Sequence, residues 1–197
     1  MPATTSSTPT VPARDRVLEA ATRLFYADGV RAVSADTLIA EAGVSKVTFY
    51  RHFPSKDALV VAYLQAQDRL VRDQVAALRE QHPDDPAAVL RGYAEQAGSV
   101  ACLAGFRGCP FVNAAVEFPD PDHPVRRAVA VHRDWLRGEA EALLADLGVQ
   151  DPPAVATTLL MLRDGAMVAA VLAGPSEDVG ADLLRAAGEV VRGATRS

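Results

Sequence analysis

The chain stops and restarts at short intervals, and each stop has the chemistry of a helix end. A turn or capping residue meets glycine or proline at Asp28-Gly29, Ala42-Gly43, His82-Pro83, Asp85-Pro86, His123-Pro124, Asp151-Pro152 and Pro175-Ser176, and Pro54 follows Phe53. Glycine closes a helix because it enters left-handed backbone conformations without a Cβ clash. Proline opens one because its missing N–H falls among donors that a first turn leaves unpaired anyway. Between the stops the apolar residues follow the helical period. Val17, Ala20, Ala21, Leu24 and Phe25 fall at i, i+3, i+4, i+7 and i+8, one stripe of an amphipathic helix. No segment alternates apolar and polar residues over a useful strand length, so the expected fold class is all-α.

The spacing of the stops sets the organisation. Residues 1–13 are rich in Thr, Ser and Pro and read as a disordered arm. Three short helices follow within 14–53. The second spans 35–42, with Ser34 as N-cap, Asp36 in the first turn and Gly43 at its end; the third starts after Ser45 and reaches about His52. Ser55 caps a fourth helix with no breaker before His82-Pro83, a run of about 26 residues and ~40 Å. Further helices are expected over roughly 86–104, 124–147, 152–173 and 177–193, with a short piece at 110–118. The expected domains are a helix-turn-helix unit over 14–60 and a larger helical bundle over 61–197.

Charge and composition bound the function. A net charge of −5 excludes binding to polyanions by bulk attraction, but residues 1–60 hold seven Lys/Arg against six Asp/Glu while the remainder holds 13 against 19. A nucleic-acid face at the N-terminal end is compatible with that asymmetry. Two cysteines are too few for a disulfide scaffold and lack metal-site spacing. No unbroken apolar run has the length of a membrane span, and the N-terminus lacks the charged-then-apolar pattern of a secretory signal. A cytoplasmic location without a membrane partner is expected.

The stretch AGVSKVTFYRHFPSKDAL, residues 42–59, contains both lysines of a chain with 18 arginines. A tight Gly43 turn between two short helices fits a helix-turn-helix, in which one helix lies on the DNA backbone and the other enters the major groove. Leu38, Ile39, Val44, Tyr50 and Phe53 are expected to brace the turn. Ser45, Lys46, Thr48, Arg51 and His52 would then face outward. Serine and lysine suit phosphate oxygens, and threonine, with a hydroxyl and a methyl, suits base edges including a thymine methyl. Lys56 opens the next helix, where backbone N–H groups favour an anion.

The segment LIAEAGVSKVTFYRHFPSKDAL, residues 38–59, resembles the DNA-binding signature of the TetR-type (tetracycline-repressor-like) transcriptional regulators. The resemblance is strong over about 14–60 and extends to the rest through length and helical layout. It implies a homodimeric regulator, acting as a repressor on a palindromic double-stranded DNA operator and released by a small-molecule effector. It implies no catalytic activity, cofactor or metal. On this resemblance Ser45, Lys46, Thr48 and Phe49 match recognition-helix positions, Tyr50 and His52 backbone-contacting ones, Lys56 the usual phosphate-binding lysine, and Thr37 a contact from the second helix. Ser34, the N-cap of that helix, is counted with them. Val47 departs from the family pattern, which often has glycine there, and would limit how closely the helix backbone approaches DNA.

The second half supplies a pairing surface and a pocket. The segment 152–173 is apolar nearly all round, with Arg163-Asp164 its only charges, so it must be covered on more than one side. Small residues (Gly165, Ala166, Ala169, Ala170, then Ala186, Gly188) permit close helix approach. Helices 152–173 and 177–193 are expected to pair with their symmetry mates in a four-helix interface, an arrangement that the resemblance also implies. The resemblance implies an effector site among the helices 86–104, 110–118, 124–147 and 152–173, with candidate residues Tyr93, Phe106, Cys109, Phe111, Asn113, Trp135, Met161 and Met167. Cys102 and Cys109, with Arg107 nearby, raise a redox-sensor alternative. Asp120, Asp122, His123 and His132 form a weaker metal-site alternative, because acids in a Pro-rich turn serve turn chemistry alone. Two other functions stay open: an all-α thiol peroxidase, and a ligand-binding helical dimer that has lost DNA binding.

Overall fold

A computed structural model describes residues 11–174 and 177–195. The first ten residues of the expected arm and the Pro175-Ser176 stop lie outside the described residues. Among the described residues there are nine helices and no strand: α1 (Ala13–Asp28), α2 (Ala35–Ala42), α3 (Lys46–His52), α4 (Lys56–Gln81), α5 (Pro86–Ala101), α6 (Pro110–Glu117), α7 (Pro124–Asp146), α8 (Pro152–Ala173) and α9 (Glu177–Thr195). The chain divides into two compact units between Tyr63 and Leu64, within α4.

The caps that define the N-terminal helices are made by the residues whose chemistry requires them. Ser34 Oγ accepts from the Thr37 N–H at 3.0 Å, Ser45 Oγ from Thr48 N–H at 3.1 Å, and Ser55 Oγ from Ala58 N–H at 3.1 Å. Gly43 ends α2 in the left-handed region, φ 60° and ψ 42°, and the Val44 N–H closes back on Ile39 O at 3.3 Å. An L side chain at Gly43 would meet no neighbour but would be strained by that φ. The Arg16 guanidinium of α1 reaches the same turn, donating to Ala42 O at 3.1 Å and Gly43 O at 3.3 Å. It satisfies carbonyls that the end of α2 leaves without helical partners. The core beneath is built from Val17, Ala21, Phe25, Leu38, Phe49, Phe53, Leu59 and Tyr63. Phe25 and Tyr63 meet edge to face at 5.7 Å.

In the C-terminal unit α5, α7, α8 and α9 pack on one another, with α6 against α7. α5 and α9 approach each other closely. A Cβ added to Gly98 would stand 2.8 Å from the Gly180 Cα, so the backbones meet where neither helix carries a side chain. The first helix of this unit is shorter than the expected 86–104. It ends at Ala101, where the Cys102 N–H is shared between Gly98 O and Ser99 O and the last turn tightens.

α8 has two faces. Ala156, Leu160, Arg163, Met167 and Ala170 are buried, whereas Met161, Val168 and Leu172 are exposed, Leu172 by 82%. By length and composition this helix is long and apolar enough to cross a membrane. Its buried face, with Arg163 paired inside the bundle, packs on α7 and α9.

Candidate nucleic-acid interface and ligand cavity

The seven residues of α3 are too few for an independently stable helix, so its orientation is set by what it anchors in the core. Phe49 is the anchor. It is fully buried, 0% exposed, and packs edge to face on Tyr50 at 5.2 Å and against Phe53 at 6.3 Å. This corrects the expectation for both aromatics. The Phe49 side chain is unavailable to an external partner, and Tyr50, expected to brace the turn, is 41% exposed. The pair buried on one face is Phe49/Phe53 at i, i+4, and Tyr50 lies about 100° further round the helix.

With Phe49 inward, α3 turns Ser45, Lys46, Val47, Tyr50 and Arg51 to the outside, while Thr48 and His52 are half-buried. Ser34 and Thr37 are exposed at the start of α2, their hydroxyls 2.7 Å apart, and Ser45 Oγ donates to Thr48 Oγ1 at 2.9 Å. Val47 projects furthest, 77% exposed, an isopropyl group on an otherwise polar face. Lys46 Nζ lies 3.7 Å from Asp36 Oδ1, a pair between two exposed side chains. Lys56 Nζ donates to Arg31 O at 3.4 Å. Sequence reasoning named most of this face but missed two contributors. Asp36 is read in the sequence only as a helix-start acid, and no local signal assigns Arg16 to the α2–α3 turn.

The C-terminal unit holds a cavity of about 500 Å³, walled by α5, α7, α8, α9 and part of α4. Its surface is mainly aliphatic, including Leu90, Leu136, Leu143, Leu160, Leu183 and Val191. Of the eight expected ligand residues, Tyr93 lines it. The other seven lie off its wall. Phe111 is buried in a stack on His132, with ring centroids 3.6 Å apart, and Trp135 is covered by the Arg72 guanidinium at 4.3 Å. The Asn113 amide donates to Arg107 O at 2.7 Å. Met161 is on the exposed face of α8, Met167 is in the core, and Phe106 lies in the α5–α6 connection. Cys109, the N-cap of α6, is buried outside the cavity lining.

Both cysteines are free thiols, Cys102 half-buried and Cys109 buried. The arginine at the Cys109 sulfur is Arg163, whose Nη1 lies 3.6 Å from Sγ, in place of the expected Arg107. Arg163 is the charged side chain buried among the described residues, at 8% exposure. Its Nε donates to the Tyr93 hydroxyl at 3.0 Å and its Nη1 to Asp164 Oδ1 at 2.8 Å; Asp164 Oδ2 also takes Arg133 at 2.7 Å. Burial opposes the Arg163 charge, but Tyr93, Cys109 and Asp164 outweigh it and hold the guanidinium protonated. Burial pushes the Tyr93 hydroxyl above its ordinary range, so it stays a neutral donor.

A second polar cluster joins α4 to α7. Asp68 accepts from Arg72 Nε at 2.6 Å and binds His132 Nδ1 at 2.8 Å. Burial holds the His132 imidazole below its usual pKa. Burial pushes the Asp68 carboxyl up, but the hydrogen bonds from Arg72 and His132 prevail and leave it below the carboxylate range. His132 thus works with Asp68, and His123 caps α7 through Nδ1. Among the described residues no three His, Cys, Asp or Glu side chains are grouped to hold a metal ion.

Comparison with known proteins bears on both regions. The sequence model of the family described as bacterial regulatory proteins, tetR family, matches residues 17–63. The chain is 44% identical to a TetR-family transcriptional regulator from Streptomyces coelicolor. The crystal structure of that regulator superposes with a TM-score of 0.88 over 93% of this chain and 96% of the other. A tetR-type regulator structure from Streptomyces avermitilis gives 29% identity and a TM-score of 0.70 over 90% and 99% of the two chains. The HTH-type transcriptional regulator LmrA of Bacillus subtilis is 26% identical over 132 residues, 66% of this chain and 70% of that one.

Proposed function

Because the chain belongs to the TetR family of transcriptional regulators, we propose that it is a ligand-responsive repressor that binds a palindromic operator as a homodimer and leaves it when a small molecule occupies the C-terminal cavity. The observation that carries this reading is the face that Phe49, by turning inward, leaves on α3. Ser45, Lys46 and Thr48, with Ser34 and Thr37 from α2, offer hydroxyls and a flexible cation on one side of the helix-turn-helix unit. Lys46, Lys56, Tyr50 and His52 are assigned to phosphate oxygens, and Thr48 to base edges. Phe49 acts from within, by fixing the pitch of α3. Val47 is the apolar contact of this face, suited to a thymine methyl.

Homodimer formation is supported by the second face of α8. Met161, Val168 and Leu172 are exposed apolar residues separated by about two and one helical turns, an arrangement that a second copy would bury. Two recognition helices related by a twofold must meet major grooves about 34–36 Å apart or a multiple of it. α4 belongs to both units and is the covalent route by which occupancy of the cavity reaches Lys56. The reading is one of binding without catalysis, in the cytoplasm.

Selection of bound duplexes from a random pool tests it. The expected result is enrichment of an inverted repeat whose half-sites are one helical turn apart or somewhat more, with binding weakened steeply by salt. Recovery of no sequence preference would overturn the regulatory reading in favour of a helical dimer without a DNA target.

A further inference from the structure

The cavity's walls are aliphatic, but two neighbouring polar side chains on them, Arg163 and Tyr93, are both donors. Arg163 is buried, and two of its three nitrogens are engaged within the protein, Nε with the Tyr93 hydroxyl and Nη1 with Asp164 and Cys109. Its Nη2, with two N–H groups, has no acceptor among those bonds. Tyr93 accepts the Arg163 Nε–H through its oxygen, which leaves its own O–H proton to donate elsewhere. Both residues line the cavity. Side by side they present two donors, with the Tyr93 oxygen already accepting from Arg163.

Charge points the same way. The ionisable residues of the lining are three arginines, Arg91, Arg163 and Arg192, against two glutamates, Glu95 and Glu139. Glu139 is already paired with Arg79 at 2.9 Å, and the one carboxylate at Arg163, Asp164, is shared with Arg133. In a protein of net charge −5 the cavity is a locally cationic place. A cation buried beside an apolar space and only partly neutralised calls for an anion to complete its shell.

Resting on the reading of this cavity as the effector site, we propose that the effector is an amphipathic organic acid. Its carboxylate pairs with Arg163 Nη2 and the Tyr93 hydroxyl, and its aliphatic or aromatic body fills the space between α5, α7, α8 and α9. The geometry disfavours the two alternatives. An amine would bring a second cation to Arg163, and an alcohol would supply one weak acceptor where two donors wait.

The test uses three probes with one tail, decanoate, decan-1-ol and decylamine, titrated calorimetrically into the full-length protein at neutral pH. Decanoate should bind about tenfold or more tightly than decan-1-ol, the gain of a charge-assisted pair over a neutral one, and decylamine should bind weakest. Arg163→Gln should collapse the acid-to-alcohol ratio towards one while leaving decan-1-ol affinity within about twofold. Tyr93→Phe keeps the ring and removes one donor, so it should lower the ratio about threefold to tenfold. It decides the matter if Arg163→Gln fails to fold. Equal binding of acid and alcohol by the native protein, or a ratio unmoved by Tyr93→Phe, would overturn the proposal. A parallel measurement of release from the selected duplex separates this idea from the regulatory one. If decanoate binds through Arg163 but never releases DNA, the site stands and the effector role falls. If the amine releases DNA and the acid does not, regulation stands and the acid falls.

Discussion

The charge of Lys46 gives the most direct measure of whether α3 meets phosphate. In the free protein its ammonium lies 3.7 Å from the Asp36 carboxylate, with both side chains exposed. At that distance in water the Coulomb attraction is about 1 kcal/mol, and exposed pairs of this kind contribute roughly 0–1 kcal/mol net. Asp36 is thus a weak holder that a phosphate displaces. Each phosphate contact contributes about 0.9 to the slope of log affinity against log salt. A twofold pair of chains has two such lysines, so Lys46→Ala should make the slope shallower by about 1.8. Between about 50 and about 200 mM salt the native protein's advantage over the variant should shrink about tenfold. Asp36→Asn removes the competing carboxylate and no phosphate contact. It should tighten binding at low salt by up to about 1 kcal/mol per half-site and leave the slope nearly unchanged. It should also cost α2 about 0.3–1 kcal/mol, because the first-turn acid faces the helix dipole. Fluorescence anisotropy on the selected duplex across that salt range reads both. A Lys46→Ala slope equal to the native one would remove the lysine from the phosphate contacts proposed for α3.

Three further outcomes follow from the packing. Gly98→Ala should destabilise the fold by about 1–2 kcal/mol in urea unfolding, because a Cβ set 2.8 Å from the Gly180 backbone costs more than the helix propensity it gains. Gly138→Ala, where the added carbon meets nothing within 4 Å, should stabilise by up to about 1 kcal/mol, and the reverse order would contradict the α5–α9 contact. Leu172→Glu places a charge on the exposed face of α8 and should convert the proposed dimer to monomer in sedimentation with unchanged helix content, at upwards of about 3 kcal/mol per pair of leucines lost. Stability should fall on acidification in two stages, read by thermal melts from neutral pH downward. His132 titrates below its ordinary 6.5 in the fold, so the unfolded chain binds the proton first and stability is lost as pH drops from 6.5 towards the folded value. Asp68, held below 3.8, contributes stability that is complete above 3.8 and disappears as pH falls through its lower folded value. Asp68→Asn should abolish the second stage.

What the sequence made legible is what local chemistry decides. The bounds of α2 and α3 follow from Ser34, Gly43, Ser45 and Pro54, because a cap or a break acts within one turn of the residue that makes it. The inward residue of α3 was not legible. In a helix of two turns the pairs Tyr50/Phe53 and Phe49/Phe53 are both helically spaced, and a rotation of about 100° separates them. Contact with α1 and α2 decides between them, and no local signal records it. The cavity was missed for a related reason. Aromatic and sulfur side chains drew attention as lining, yet such residues fill space, and Phe111 and Met167 are where the core is dense. The cavity lies where leucine, valine and alanine from four helices stop short of one another. A void is a property of the packing, and of the charged residues on its wall only Arg163, in the middle of an apolar run, stands out in the chain.

That neighbour also constrains what the void is for. A fully enclosed ion pair adds little stability over an apolar side chain of the same size, because the desolvation of both charges offsets their attraction. As a purely structural device Arg163 would be a poor one. Its carboxylate is divided with Arg133, one contact goes to a thiol, a weak acceptor, and one nitrogen has no acceptor among the described residues. The same arrangement becomes favourable once an acceptor enters from the cavity side, since the desolvation cost has been met during folding and the incoming group finds donors already oriented. The incompleteness of the Arg163 shell and the emptiness beside it are therefore one feature: a site whose polar half belongs to the chain and whose other half arrives with a ligand.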